Sequence, residues 1–203
     1  PAYAAGPDLR EWILGSEGRM GVLTKVTVRI SPLPEREYFT TGFFPNWDLA
    51  QAFCQQAVQQ QIPLSALRLS SAQETRIQLK LAGHARAVGL LERYLKSRGC
   101  NDGKCMVLIG FTGSNASVRY ARQQTKSLLR QFKGVSTGTL IGKKWQASRF
   151  KTPYLREALW QKGLAIDTLE TAVNWSAVTR TQAQIEAAIA NATDNCEPLV
   201  FTH

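Results

Sequence analysis

The fold is best interpreted from the stretch Ile13-Leu14-Gly15-Ser16-Glu17-Gly18-Arg19-Met20-Gly21-Val22-Leu23-Thr24, in which three glycines fall within seven residues. Glycine has no Cβ and tolerates positive φ, so this stretch can turn tightly and lie close to a ligand. The spacing is neither a GxGxxG fingerprint nor a Walker loop, and an ordinary tight turn explains it more simply. The residues alone leave two interpretations open, a simple turn or a loop that cradles an anion or a cofactor.

A β-strand is predicted directly after this turn. From Val22 to Ile30, β-branched side chains recur at every second position, a period typical of a strand. Two prolines in Ser31-Pro32-Leu33-Pro34 then end the strand and form a linker. We therefore predict a domain boundary here, with residues 1–34 in one domain and residues 35–203 in another.

Beyond the linker, the hydrophobic pattern predicts an α+β domain without internal repeats. Asp48, Ser114 and Thr179 are predicted to cap helices. Strands interrupted by helices fit a ferredoxin-like antiparallel sheet with helices on one face. The strands are expected at 38–44, 64–69, 106–111, 135–141, 164–173 and 198–201, and the helices at 49–60, 82–98, 116–132 and 179–192.

The chain is basic, with 25 Lys and Arg against 15 Asp and Glu and a net charge of +10. Such an excess suits nucleic acid, an anionic substrate, an anionic lipid surface or an acidic partner. The basic residues are scattered or fall at helical spacing, and no nucleic-acid-binding motif accompanies them, so nucleic acid is disfavoured. No apolar run reaches the roughly 20 residues of a membrane span. The start at Pro1, without a signal-peptide pattern, predicts a cytoplasmic piece of a longer chain.

The cysteines and histidines offer no convincing metal-ligand set. The four cysteines, Cys54, Cys100, Cys105 and Cys196, show no CxxC spacing, and the chain has two histidines. A disulfide between Cys100 and Cys105 is conceivable across the turn that separates them, but reduced thiols are favoured. His84 is expected to be a surface or helix-capping residue, and the role of His203 is left open.

Residues 6–24 resemble the end of the FAD-binding domain in FAD-linked oxidases of the vanillyl-alcohol-oxidase type. The resemblance lies in Gly6-Pro7-Asp8-Leu9 and in Gly15-Ser16-Glu17-Gly18-Arg19-Met20-Gly21-Val22-Leu23-Thr24. It implies FAD as cofactor, with contacts carried by Glu17, Gly18, Arg19, Met20, Gly21, Val22 and Leu23. Arg19 and Met20 stand where the family usually has Thr and Leu, a change that backbone contacts would survive.

The remainder is similar to the C-terminal cap domain of the same family, most of all to that of alkyl-dihydroxyacetonephosphate synthases. Strings that carry the likeness are Phe44-Pro45-Asn46, Ala66-Leu67-Arg68-Leu69 and Pro153-Tyr154-Leu155-Arg156. The resemblance implies that Arg156 lies beside the substrate, where a guanidinium binds phosphate or carboxylate. It also implies that Arg68 positions the cap against the flavin, an interpretation that is favoured if Arg68 is largely buried with a carboxylate or backbone partner; an ordinary half-exposed strand residue is the alternative.

The resemblance implies a parent enzyme that makes ether lipids by exchanging an acyl chain for a fatty alcohol through an adduct at flavin N5. The family's pyrophosphate loop would precede residue 1 and its acid/base residues would follow residue 203, so we expect the 203-residue chain to be inactive and to hold FAD poorly. A D-2-hydroxy-acid dehydrogenase or oxidase is the first alternative, and a basic, non-catalytic binding module is the second. A lipid-phosphate or other small-molecule substrate, peripheral membrane association and an oligomer are all compatible with the sequence.

Overall fold

Two nine-residue antiparallel strands form the centre of the fold. In the computed structural model, which describes residues 6–81, 85–151, 154–192 and 198–203, strand β1 (Arg36–Phe44) pairs along its whole length with β3 (Cys105–Gly113). The short strands β2 (Ala66–Ser70) and β4 (Val135–Ser136) pair with β3 and β1, respectively, which gives the order β2-β3-β1-β4. The chain divides into two compact units, Pro1–Leu33 and Pro34–His203.

Helices cover both faces of this sheet. On one face, helices α2 (Trp47–Gln59) and α5 (Asn115–Gln131) pack over the side chains that alternate along β3 from Cys105 to Phe111. On the other face, Phe43 and Met106 pack against α3 (Ala72–Leu81) and α4 (Ala85–Ser97). The predicted antiparallel α+β class is confirmed, but helices cover a second face as well, because both faces of the two central strands are apolar and each needs a cover.

Helix α6 (Leu140–Ser148) lies against β1 and approaches it very closely at Gly142. A Cβ at Gly142 would stand 2.5 Å from the carbonyl oxygen of Phe39, so only glycine allows this contact. Trp145 of the same helix packs its ring against Phe39, with 5.2 Å between the ring centroids. The sequence prediction of a strand over 135–141 was therefore wrong after Ser136, where the chain turns at Gly138 and enters α6.

The first unit contains a single short helix, α1 (Leu9–Ile13), and no strand among its described residues. The predicted strand over 22–30 is absent, and Val22 and Ile30 are 89% and 85% exposed. The same holds for residues 164–173 in the second unit, which have no regular structure. In both cases the alternating pattern is present but no described strand pairs with it, and an unpaired strand has no ladder to stabilise it. The predicted strand over 198–201 is absent as well.

Three helix starts differ from the predictions. Asn46, not Asp48, caps α2, with its side-chain oxygen accepting from the backbone N–H of Leu49 at 3.0 Å. Helix α3 was not predicted. The last helix, α8, runs over Val178–Ala192 and includes Thr179, whose hydroxyl donates to Gln51 instead of capping the helix. The predicted Ser114 cap is confirmed, since its side chain accepts from the backbone N–H of Ser117.

Two further findings concern membrane spans and thiols. Among the described residues, no helix is both long and apolar enough to cross a membrane. Cys54, Cys100 and Cys105 are buried and free, so the disulfide between Cys100 and Cys105 is not formed. Burial raises the pKa of the Cys54 and Cys105 thiols to about 12 in each case. Cys196 and His84 lie outside the described residues, as do Thr152 and Pro153.

Candidate functional site

The glycine-rich stretch of the first unit forms a tight turn directly after α1. Gly15, Gly18 and Gly21 all adopt positive φ, of 78°, 81° and 140°, and Glu17 does so as well at 51°. The turn is closed by two backbone hydrogen bonds, from Ser16 N–H to the Ile13 carbonyl and from Arg19 N–H to the Ser16 carbonyl. No described atom lies within 4 Å of a Cβ built on any of the three glycines. The glycines are therefore required by backbone conformation and leave the backbone accessible.

A concave surface of about 450 Å³ adjoins this turn. It is lined by three of the predicted cofactor-binding residues, Glu17, Arg19 and Met20, together with Trp12, Gly15 and Ser16. Gly18, Gly21, Val22 and Leu23, the other predicted contacts, are exposed but do not line this surface. Accessible backbone beside a cation and a ring fits part of a flavin dinucleotide, whose pyrophosphate is anionic and whose rings stack.

Arg68 lies in the middle of the edge strand β2 and points to the sheet face that α3 also covers. Its Nη2 donates to Glu74 Oε1 at 2.7 Å, an ion pair in which the arginine side chain is 34% exposed and the glutamate side chain 4% exposed. Gln78 Nε2 donates to the same Glu74 oxygen, also at 2.7 Å. Arg68 therefore has a carboxylate partner but is itself only partly buried, and its positioning role stays a prediction.

The last residues of the chain join this cluster. His203 Nδ1 lies 3.0 Å from Arg68 Nη2 and 3.7 Å from Glu74 Oε2. The Thr202 carbonyl accepts a hydrogen bond from Ser71 N–H at 2.9 Å. The structure thus brings Arg68 and His203, which are far apart in sequence, into contact above a buried carboxylate.

Arg156 lies apart from these contacts. It is exposed on α7 (Leu155–Trp160), a short helix without buried residues. No hydrogen bond or ion pair joins its side chain to the part of the chain that the structure describes. Its guanidinium is accessible to a ligand, and its predicted place beside the substrate stays a prediction.

Glu74 was not predicted as a functional residue, because helix α3 was not predicted. A local signal was present, since Ser71-Ala72-Gln73-Glu74 has the S-x-x-E pattern of a capping box at a helix start. The role of His203 carried no comparable signal, because its contacts depend on where the chain end lies relative to β2.

The basic residues of α5 form a stripe on its outer side. Its exposed cations are Arg119, Arg122, Lys126 and Arg130, and the helix contains no acidic residue. The Arg122 guanidinium lies 4.1 Å from the centre of the Tyr38 ring, a cation–π contact that holds this side chain against the sheet.

Comparison with known proteins identifies the family. The family described as FAD linked oxidases, C-terminal domain, matches residues 33–203. The chain therefore belongs to this family, and the resemblance predicted from the sequence is confirmed. Membership favours a parent enzyme that uses FAD over a non-catalytic binding module.

Individual relatives agree with this assignment. Alkyldihydroxyacetonephosphate synthase of Caenorhabditis elegans is 30% identical over 186 residues, which cover 88% of this chain and 31% of that protein. The Trypanosoma brucei brucei synthase is 26% identical over 196 residues, with coverage of 90% and 32%. The mitochondrial D-lactate dehydrogenase [cytochrome] of Arabidopsis thaliana is 28% identical over 161 residues, with coverage of 77% and 25%.

Solved structures show the same fold. Two structures of alkyldihydroxyacetonephosphate synthase match with TM-scores of 0.76 and 0.74, each at 22% identity. The matches cover 96% and 94% of this chain, and 37% and 38% of those chains. The chain spans about a third of the length of the synthases that it matches.

Proposed function

We propose that these 203 residues are part of an FAD-dependent enzyme that resembles alkyldihydroxyacetonephosphate synthase and makes ether lipids from an acyl-dihydroxyacetonephosphate and a fatty alcohol. The observation that carries this proposal is the similarity to synthases of several organisms, which extends over most of the chain. A bound FAD would supply a redox-active ring that can accept an electron pair or a carbon substituent.

The chain's own contribution to such an enzyme is binding and orientation. The strip from Glu17 to Leu23 would hold part of the FAD, mainly through backbone at positive φ and the adjoining concave surface. Arg156 would bind the substrate phosphate, because a guanidinium presents a planar set of donors that matches phosphate oxygens. Arg68 would position the sheet of the second unit at the site, since its guanidinium is held by the buried Glu74.

We also propose that the 203 residues alone are inactive and retain FAD weakly. The proposal is supported by the length of the synthases, of which these residues cover about a third. A purified 203-residue chain that remains yellow after gel filtration would contradict it.

Charge and substrate chemistry support a proposal for the location and partners of the protein. A substrate with a phosphate and an apolar chain is met at a lipid surface, and the net charge of +10 with the basic stripe on α5 favours an anionic one. We propose a cytoplasmic, membrane-peripheral protein. Its binding to vesicles should weaken as salt is raised.

A D-2-hydroxy-acid dehydrogenase is the second candidate. It is favoured by the similarity to the Arabidopsis thaliana D-lactate dehydrogenase, which covers 77% of the chain. In this case Arg156 would hold the substrate carboxylate, and the substrate's hydride would pass to the flavin.

One experiment separates the two candidates. The full-length, FAD-loaded enzyme is mixed anaerobically with D-lactate and related 2-hydroxy acids, and separately with an acyl-dihydroxyacetonephosphate. Stable loss of the oxidised flavin absorbance with a hydroxy acid would reject the synthase. Loss with the phosphate ester alone, reversed by a fatty alcohol, would reject the dehydrogenase.

The role of Arg156 is tested in the same assay. Arg156→Lys should raise the KM for the preferred substrate, because an ammonium cannot replace bidentate binding. Arg180→Lys, at an exposed position of α8, is the matched control and should leave KM unchanged. Equal effects of the two substitutions would reject the substrate-binding role.

A further inference from the structure

The carboxylate of Glu74 is buried in a way that helix stability does not require. Its Oε1 accepts from both Arg68 and Gln78, while its Oε2 is buried and accepts no hydrogen bond from the described residues. Burying a carboxylate is costly, and replacing a buried ion pair by apolar residues is often neutral or stabilising. Stability alone is therefore a weak reason for an ionised group at this position.

The capping box at the start of α3 is only half formed. In a complete box, the glutamate side chain reaches back to the backbone N–H of the first serine. Here Ser71 Oγ accepts from Glu74 N–H at 3.3 Å, but Ser71 N–H donates to the Thr202 carbonyl. The Glu74 carboxylate is thus directed away from the helix end and towards Arg68.

The contact between Arg68 and His203 favours one proton position on the imidazole. A guanidinium can only donate hydrogen bonds, so the 3.0 Å contact between Arg68 Nη2 and His203 Nδ1 is a hydrogen bond only when Nδ1 is the acceptor. The neutral imidazole then carries its proton on Nε2. Fixing the tautomer of a histidine through the partner of its other nitrogen is a common way to prepare the ring for a ligand.

We propose that Glu74 is a positioning residue, which orients the Arg68 guanidinium and through it fixes His203 as the Nε2–H tautomer. Arg68 and His203 remain partly exposed, at 34% and 49% of their side chains, whereas Glu74 is not. The buried Glu74 carboxylate therefore holds two accessible groups in place, the Arg68 guanidinium and the His203 Nε2–H. This pair is suited to an anionic oxygen of phosphate or carboxylate, and its use in turnover rests on the function proposed above.

The tautomer is measured first, because it needs neither flavin nor substrate. The chain is labelled with ¹⁵N-histidine and examined by NMR at a pH where the imidazole is neutral. The wild-type chain should show His203 mainly as the Nε2–H tautomer, and Glu74→Gln should shift it towards a mixture. Arg68→Lys, which keeps the charge but loses the planar fork, should shift it in the same direction.

A matched control is offered by a second ion pair with one buried partner. Lys104 is 5% exposed at its side chain and lies 3.5 Å from Glu92. Glu92→Gln should destabilise the fold and leave the His203 tautomer unchanged. An Nδ1–H tautomer in the wild-type chain, or a tautomer that Glu74→Gln leaves unchanged, would overturn the proposal.

The consequence for turnover is tested in the full-length, FAD-loaded enzyme. Glu74→Gln should lower kcat/KM by about 10- to 100-fold, as expected for a group that acts through a neighbouring side chain. In an Arg68→Met background, the same substitution should cause little further loss, because its effect passes through Arg68. Multiplicative losses would overturn the proposal.

The outcomes also separate this inference from the proposed function. If the wild-type enzyme acts on neither class of substrate while the tautomer still depends on Glu74, the proposed function fails and the positioning of His203 stands. If the enzyme is active but the tautomer does not depend on Glu74, the positioning role fails and the proposed function stands.

Discussion

Strand β1 and the segment 22–30 carry similar sequence patterns but have different fates. Both are rich in β-branched or aromatic residues, yet Phe43 and Phe44 of β1 are completely buried while the side chains of the segment are exposed. Strand β1 lies between β3, which pairs with its whole length, and β4, which pairs with Gly42 and Phe43. The difference shows that an alternating pattern predicts which residues can form a strand, whereas a neighbouring strand decides whether they do.

The largest expected effect is at Phe43. Phe43→Ala should lower the free energy of unfolding by about 3–5 kcal/mol, because it leaves a cavity between the sheet and helices α3 and α4. Ile30→Ala, in the exposed segment, should change the same quantity by less than about 0.5 kcal/mol. Urea denaturation followed by circular dichroism measures both. A large loss of unfolding free energy in Ile30→Ala would show that residues 22–30 are packed in solution. The contrast between this segment and β1 would then be wrong.

Glycines in the two regions should respond differently to alanine. Gly142→Ala should cost about 1–3 kcal/mol, because the new Cβ would collide with the Phe39 carbonyl. Gly18→Ala meets open space at a φ of 81°, so it should strain the turn locally without changing the unfolding of the sheet.

Gly89→Ala is a control that should raise the free energy of unfolding, whereas Gly142→Ala should lower it. This partly buried position of helix α4 has no described atom within 4 Å of the new Cβ, so alanine should stabilise the fold by about 0.5–1 kcal/mol. Thermal unfolding ranks the three variants. If Gly142→Ala left the unfolding temperature unchanged, the close contact between α6 and β1 would not exist in solution.

Removing a helix cap should also affect the two regions differently, with smaller changes in the free energy of unfolding. Asn46→Ala should destabilise the second unit by about 1 kcal/mol, because the cap of the packed helix α2 is lost. Asp8→Ala removes the cap of α1, which buries no residue, and should leave the sheet's unfolding transition unchanged. Asp48→Ala distinguishes the observed cap from the predicted one. A larger loss at Asp48 than at Asn46 would contradict the observed helix start.

The smallest expected effect is the change in helix capping as the Asp8 carboxyl is protonated. Hydrogen bonds from Arg10 lower the pKa of this carboxyl from 3.8 to about 2. Because the pKa in the folded state is below the ordinary value, the cap's contribution is present above about pH 4 and is lost as pH falls through about 2. NMR of the Asp8 carboxyl measures this midpoint, which Arg10→Gln should move back up. An unchanged midpoint in Arg10→Gln would show that another group is responsible.

Features that depend on residues close together in sequence were predicted correctly more often than features that depend on distant residues. Strands 38–44 and 106–111 and the Ser114 cap were predicted correctly, because the hydrophobic period and the capping residue are local properties of the chain. The strands over 22–30 and 164–173 were not formed, because pairing depends on residues far away in sequence. Glu74 could have been noticed from its capping-box pattern, although its carboxylate then serves Arg68 and not the helix.

By itself, the sequence determined the family and the α+β class, since the Gly15–Gly21 motif and the strings around Arg68 and Arg156 are contiguous. Tertiary structure alone decided that Arg68 pairs with a buried Glu74 and meets His203, 135 positions away along the chain. The physical reason is that burial and hydrogen bonding between distant residues arise only after β2, α3 and the chain end are packed together. Local patterns show which chemical groups are present, and packing decides which of them are in contact.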